Sequence, residues 1–156
     1  AGAHTTAGQA PVYRVEVAPH GCFVCGDLND QGLHVALRVS EGRAWTELAL
    51  TATHEGWSGV VHGGILAALL DEMMGWALFH QESWGVTADL AVRFRRPVLV
   101  GQRIRVEGWI TDGGRRATRS AAGSGVAVEA TGSYDQGDSA AYRTGRSGEK
   151  RGDPTE

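Results

Sequence analysis

The stretch from His62 to Phe79 constrains the fold more than any other, because it is the longest apolar run in the chain, opens on a glycine pair and carries two adjacent carboxylates. Wound as an α-helix at about 3.6 residues per turn, it sets Asp71 beside Ala67, Met74 and Leu78, and Glu72 beside Ala68, Leu69, Trp76 and Phe79. A helix apolar nearly all round is a buried one, and a run of roughly 16 residues suits a core helix better than a membrane span of about 20. Burial disfavours the charged form of a carboxylate, which is how a general base is brought towards neutral pH. Periodicity does not choose between Asp71 and Glu72, and either acid taken alone is equally readable as pointing to solvent.

Gly63 and Gly64 open this run. The first turn of a helix leaves N–H groups without intrahelical partners and carries partial positive charge. Without side chains, those amides are open to close approach by a ligand oxygen, and such a pair suits an oxyanion. A plain turn before a helix is the alternative reading of the same two residues.

At 156 residues the chain is one domain's worth. Its 15 basic and 18 acidic residues leave a formal charge of −3, which argues neither for a nucleic-acid binder nor for a membrane-surface protein as a whole. Eight of the 15 basic residues nevertheless fall between Arg93 and Arg119, opposed only by Glu107 and Asp112, a local patch suited to a small polyanion. The three Phe and three Tyr are scattered and offer no stacking platform for bases. No apolar run preceded by positive charge marks the N-terminus and none is long enough to span a bilayer, so the cytoplasm is the expected compartment.

Residues 1–19 are expected as a flexible leader, with Val12 to Val17 a short strand or strand-like lead-in, residues 20–136 as the folded domain, and residues 137–156 as a disordered polar tail. His20 to Leu33, rich in Gly, Asp and Asn and holding Cys22 and Cys25, reads as a compact loop. His20 and His34 are the residues that could complete a zinc set with the two thiols, but the spacing is not that of a standard finger, and no metal is expected. Alternation predicts strands over Leu33 to Val39 and Ala44 to Leu50, joined as a hairpin, then Val86 to Phe94, Arg103 to Ile110, Arg115 to Ala122 and Val126 to Tyr134. The expected class is α+β, one long helix covered by a curved antiparallel sheet. An all-round apolar helix needs more cover than one sheet face gives, which favours closure by a second subunit.

Gly59-Val60-Val61-His62-Gly63-Gly64 followed by Leu69-Leu70-Asp71-Glu72-Met73-Met74-Gly75 resembles the signature of the hotdog-fold thioesterases of the phenylacetic-acid-degradation and 4-hydroxybenzoyl-CoA thioesterase-like type, down to the nine-residue offset from His62 to Asp71. The strand from Val86 to Phe94 with Arg96-Pro97 is similar to the one that follows the helix in that family, and the cysteine loop through Gly32-Leu33 to the opening of one of its subgroups. The resemblance runs from about Gly21 to Tyr134 and implies a dimeric hotdog fold that hydrolyses acyl-CoA, with CoA entering as part of the substrate and no further cofactor. It selects Asp71 as base or nucleophile, with Glu72 as fallback, puts the Gly63 amide in the oxyanion hole, and makes Thr87 a polar helper. Many members carry an Asn six residues before the His, and here that position is Gly56. The second oxyanion donor is then sought among His54, His62 and backbone amides.

Asp71 stands about seven residues into the helix from Gly64, about 10 Å along the axis, too far for both to grip one carbonyl within a single chain. Two subunits bringing Asp71 of one beside the glycines of the other would solve this, so a homodimer, with dimers pairing further as an option, is expected. Arg95, Arg96 and Arg115 are the candidates for the nucleotide end of CoA, a charge-blunted sheet edge being the alternative. The rival functions are a hotdog protein that binds acyl-CoA without cleaving it and a dehydratase acting on acyl thioesters, whose usual motif is not seen.

Overall fold

The computed structural model describes residues 10–80, 85–111, 116–122 and 126–135, the stretch 116–122 through its backbone alone. The expected tail and residues 1–9 of the leader lie outside these residues, as do Arg115 and Trp84. Strands β1 (Tyr13–Arg14), β2 (Arg38–Ser40), β3 (Arg43–Ala49), β4 (Glu55–Trp57) and β5 (Val60–Val61) precede helix α1 (Gly63–Phe79); β6 (Val86–Phe94), β7 (Arg103–Ile110), β8 (Arg116–Ala122) and β9 (Val126–Asp135) follow it. Seven strands form one antiparallel sheet in the order β1-β2-β3-β7-β8-β9-β6, and β4 pairs with β5 apart from it. A long helix packed on such a sheet is the hotdog arrangement that the resemblance implied.

The periodic segments fold as their alternation predicts, with exceptions where other partners take the backbone. The predicted strand from Leu33 shrinks to Arg38–Ser40, because the Leu33 and Val35 N–H groups donate to the Phe23 and Val24 carbonyls of the cysteine loop. Inside the expected leader, Tyr13–Arg14 pairs with β2. The β2–β3 hairpin turns through Glu41 and Gly42, both at positive φ (42° and 72°), as a two-residue turn matched to strand twist requires.

Helix α1 is buried along one face only: Leu66, Leu69, Leu70, Met73, Met74, Ala77 and Leu78 face the sheet. The opposite side, with Asp71, Glu72, Gly75 and Trp76, is half-buried within the single chain, the side for which a second subunit was expected as cover. The physical reason is that one sheet covers one face. Each large side chain sealed on that face contributes about 1.5–3 kcal/mol. The packing is closest over β7, where Gly108 lies directly beneath the Met73–Met74 peptide.

Strand β6 crosses to the far edge of the sheet and is exposed along most of its length, including Val86, Leu90 and Phe94, the last 53% exposed. An apolar, largely uncovered edge strand is a template for pairing with another chain.

Candidate active site

Asp71 sits in the middle of α1 and receives two hydroxyls at one carboxylate oxygen. Thr87 Oγ1 donates to Asp71 Oδ1 at 2.7 Å, and the Tyr134 hydroxyl lies 2.9 Å from the same oxygen and 3.0 Å from the Asp71 carbonyl oxygen. Oδ2 accepts no hydrogen bond among the described residues. Thr87 and Tyr134 are directly paired across β6 and β9, so the sheet delivers both to one point on the helix.

A β-bulge makes this possible. Strict alternation along β6 would put Thr87 on the opposite face from Val92 and Phe94. The register shifts between Thr87 and Asp89, so Thr87 pairs with Tyr134 while Leu90, Val92 and Phe94 pair with Gly132, Ala130 and Val128. One extra residue in the strand turns Thr87 to the helix side.

Glu72 accepts from Trp76 Nε1 at 2.9 Å and lies 3.6 and 3.7 Å from Cys22 Sγ. Burial pushes the Cys25 thiol well above its ordinary range, and the neighbouring Glu72 carboxylate adds to the shift through its hydrogen bond and its charge. Cys22, Cys25 and His20 bring one ligand atom each to within 4.8 Å of one another. His34 does not join them; its ring bonds the Asn29 carbonyl. Asp71, Glu72, Thr87, Tyr134, Trp76, Phe79 and the cysteine loop line a cavity of about 470 Å³.

The helix N-terminus serves a different cavity. Gly63 lines a space of about 330 Å³ with Phe94, Arg95 and Arg96, and none of the residues around Asp71 reaches it. The Gly63 N–H has no partner among the described residues, whereas the Gly64 N–H is capped by His62 Nδ1 at 2.9 Å. A Cβ on Gly63 would press on the Phe94 ring at 3.2 Å. A Cβ on Gly56 would stand 2.9 Å from His62 Cα and 3.0 Å from its ring, so the imidazole occupies the space a side chain at that position needs. His54 is engaged elsewhere: its Nδ1 accepts from the Thr51 N–H at 3.1 Å. Arg95 is ion-paired to Glu129 at 2.8 Å, which raises its pKa further through that hydrogen bond and charge.

The structure therefore brings Asp71 and Thr87 together, adds Tyr134, and keeps Gly63, Gly64, His62, Arg95 and Arg96 apart from them; Arg115 lies outside the described residues. Tyr134 escaped the sequence reading because it is the last aromatic of an alternating strand, and nothing in its own neighbourhood says which strand it will face.

The profile of the thioesterase superfamily matches residues 58–119. A solved thioesterase superfamily protein is 30% identical, with a TM-score of 0.66 over 72% of this chain and 61% of its own. This chain thus spans under two thirds of that relative. A hypothetical thioesterase from Streptococcus pneumoniae, solved with coenzyme A, is 18% identical with a TM-score of 0.56, covering 59% of this chain and 78% of its own. Two further structures of the pneumococcal protein carry an Asp→Ala and a Thr→Ala substitution 16 positions apart. The PaaI protein of the E. coli phenylacetic acid degradation operon is 21% identical with a TM-score of 0.56, over 59% of this chain and 74% of its own. No curated protein sequence matches the chain.

Proposed function

We propose, from a hotdog fold that resembles the thioesterase superfamily, that the chain hydrolyses acyl-CoA thioesters and does so as a homodimer. The observation that carries this reading is the Asp71 carboxylate, pinned at Oδ1 by Thr87 and Tyr134 and left with Oδ2 unpartnered, in a residue that lines an apolar cavity. A carboxylate held in this way is oriented to take a proton from water or to attack a thioester carbonyl itself. The 16-residue separation of Asp71 and Thr87 equals that of the two positions substituted in the pneumococcal protein, which supports giving both a part in the reaction.

The polarising half is the free Gly63 N–H, at the positive end of the helix, beside Arg95 and Arg96. Within one chain the two halves open into separate cavities. A partner docked along the exposed β6 edge would set Gly63 of one subunit against Asp71 of the other, and would cover Phe94 and Leu90. His62, which accepts at Nδ1 and so carries its proton on Nε2, is the candidate for the second oxyanion donor in the space left by Gly56. The arginines would receive the phosphates of CoA. A chain with no helix long and apolar enough to cross a membrane among its described residues meets such a substrate in water; the cytoplasm is the compartment we propose.

The test is release of free thiol from short, long and aromatic acyl-CoAs. Turnover of at least one class is expected; tight binding of all with no thiol released would decide for an acyl-CoA-binding protein, a reading favoured by the His62 cap on the Gly64 N–H. Thr87→Val and Tyr134→Phe should each lower kcat by roughly 10–150-fold with little change in KM, since each removes a hydroxyl whose hydrogen bond to a charged acceptor is worth about 1.5–3 kcal/mol. Unchanged kcat in both variants would separate the two hydroxyls from the chemistry.

A further inference from the structure

We propose that His20, Cys22, Cys25 and Glu72 form a tetrahedral site for a zinc-type divalent cation, which pins the loop from His20 to Leu33 onto helix α1. The proposal stands whatever reaction the chain catalyses.

Three donors of the right kinds converge, and the Glu72 carboxylate stands beside one of them, outside the mutual spacing of the three. His20 Nε2 is 3.4 Å from Cys25 Sγ, Cys22 Sγ is 3.6 Å from Glu72 Oε2, and the His20, Cys22 and Cys25 donors lie within 4.8 Å of one another. Zinc bonds of about 2.0–2.3 Å in a tetrahedron put neighbouring donors about 3.3–3.8 Å apart, so the three loop donors need draw in only slightly and the Glu72 carboxylate must swing towards them to close the shell. The two cysteines have the C-x2-C spacing of structural zinc ligand pairs, and two sulfurs with a nitrogen and an oxygen favour zinc over harder cations. The four come from distant parts of the chain: a histidine and two thiols from a loop, and a carboxylate 50 positions beyond Cys22 on the central helix.

The surroundings fit ligands better than ordinary polar contacts. His20 Nδ1 lies 3.1 Å from the Ala18 carbonyl; donating there leaves the Nε2 lone pair facing the thiols, the usual outer hydrogen bond of a metal-bound imidazole. Glu72 is oriented by Trp76 Nε1 at 2.9 Å. The loop is tied by its own backbone, with the Gly26 N–H on the Cys22 carbonyl at 2.9 Å and the Leu28 N–H on the His20 carbonyl at 3.1 Å. Gly26 is packed against the Cys22 and His20 backbone so closely that any side chain there would displace the knuckle. Two thiols and a carboxylate gathered in a half-buried cluster, with no Lys or Arg among their contacts in the described residues, suit a cation as occupant. All four coordination positions are protein groups, which marks a closed, structural site. It would also form one wall of the cavity that holds Asp71.

The decisive measurement is metal content of the full chain, purified without chelator, by plasma mass spectrometry, followed by zinc titration of the stripped, fully reduced protein. About one zinc per chain is expected in both, with a higher melting temperature in the zinc-loaded form. Cobalt in its place should give the intense visible bands of a tetrahedral thiolate site. Cys25→Ser and His20→Ala should lose the metal, while His34→Ala should keep it. Trp76→Phe, a positioning change, should weaken zinc by about 10–100-fold with the sheet intact by circular dichroism. Reduced parent protein that takes up no zinc would overturn the site, and so would a native Cys22–Cys25 disulfide whose reduction confers no metal binding. Glu72→Gln binding zinc as tightly as the parent would remove the fourth donor and with it the closed site.

Discussion

Asp71→Ala is expected to lower kcat/KM for acyl-CoA hydrolysis by at least about 100-fold, the usual contribution of a positioned proton-transfer group, while leaving a folded protein. The fold survives because Asp71 lies on the half-buried side of α1, away from the Leu69–Met73 face that seals the core. The hydroxyls of Thr87 and Tyr134 lose an acceptor, but they line a cavity that admits water. Asp71→Asn separates two roles. The amide oxygen still accepts from both hydroxyls, yet the group neither takes a proton nor attacks, so Asn should be nearly as inactive as Ala. Activity within a few-fold of the parent in either variant would end the assignment of Asp71.

The same residue tests the shared site. If Asp71 of one subunit works with Gly63 of the other, Asp71→Ala and Gly63→Val chains should each be inactive, the latter because a branched side chain there crowds the oxyanion donor as well as pressing on the Phe94 ring. Refolded as an equal mixture, they should recover about one quarter of parental activity: half of the dimers are mixed, and each mixed dimer has one intact site of two. No recovery would confine each site to one chain.

Gly108→Ala is expected to be strongly destabilising. A Cβ at that position of β7 would overlap the Met73 carbonyl carbon and oxygen and stand 2.7 Å from Met74 N, all backbone of α1. No side chain can rotate away; the helix itself must lift off the sheet. Overpacking a tight core costs about 1–3 kcal/mol, and displacement of a helix that carries Leu69, Leu70, Met73 and Met74 places this case at the upper end. At about 2–4 °C per kcal/mol for a chain this size, the loss should show plainly in thermal unfolding. Gly21→Ala, where a Cβ meets nothing within 4 Å, is the matched control and should stay within about 0.5 kcal/mol of the parent. Equal melting temperatures for the two variants would mean that the helix does not sit as closely as the contact implies.

Much of the architecture was legible in the residues. Strand β7 has the limits that alternation predicted, Arg103–Ile110, and α1 begins and ends within a residue of its apolar run, because period and end signals are local properties of the chain. The weaker predictions fell where the backbone had a choice of partner, as at Leu33 and Val35, whose N–H groups bond the cysteine loop instead of a neighbouring strand. Apolarity says that a surface wants cover, not which cover one chain supplies, and a single sheet leaves the Asp71 side of α1 half-buried.

The residues by themselves determined one long helix and an antiparallel sheet, and by resemblance the expectation that Asp71 and Thr87 act together. Tertiary structure alone decided how that pair meets. A single bulge in β6 turns Thr87 to the helix side, the β6–β9 register sets Tyr134 opposite it, and His62 folds back onto the Gly64 N–H and leaves Gly63 as the free donor. The same is true of the four donors proposed for the cation, since Glu72 reaches the cysteine loop only when the helix is laid on the sheet. Periodicity depends on neighbours in sequence, whereas register and convergence depend on which distant backbone groups pair, and those are chosen by the packing of the whole chain.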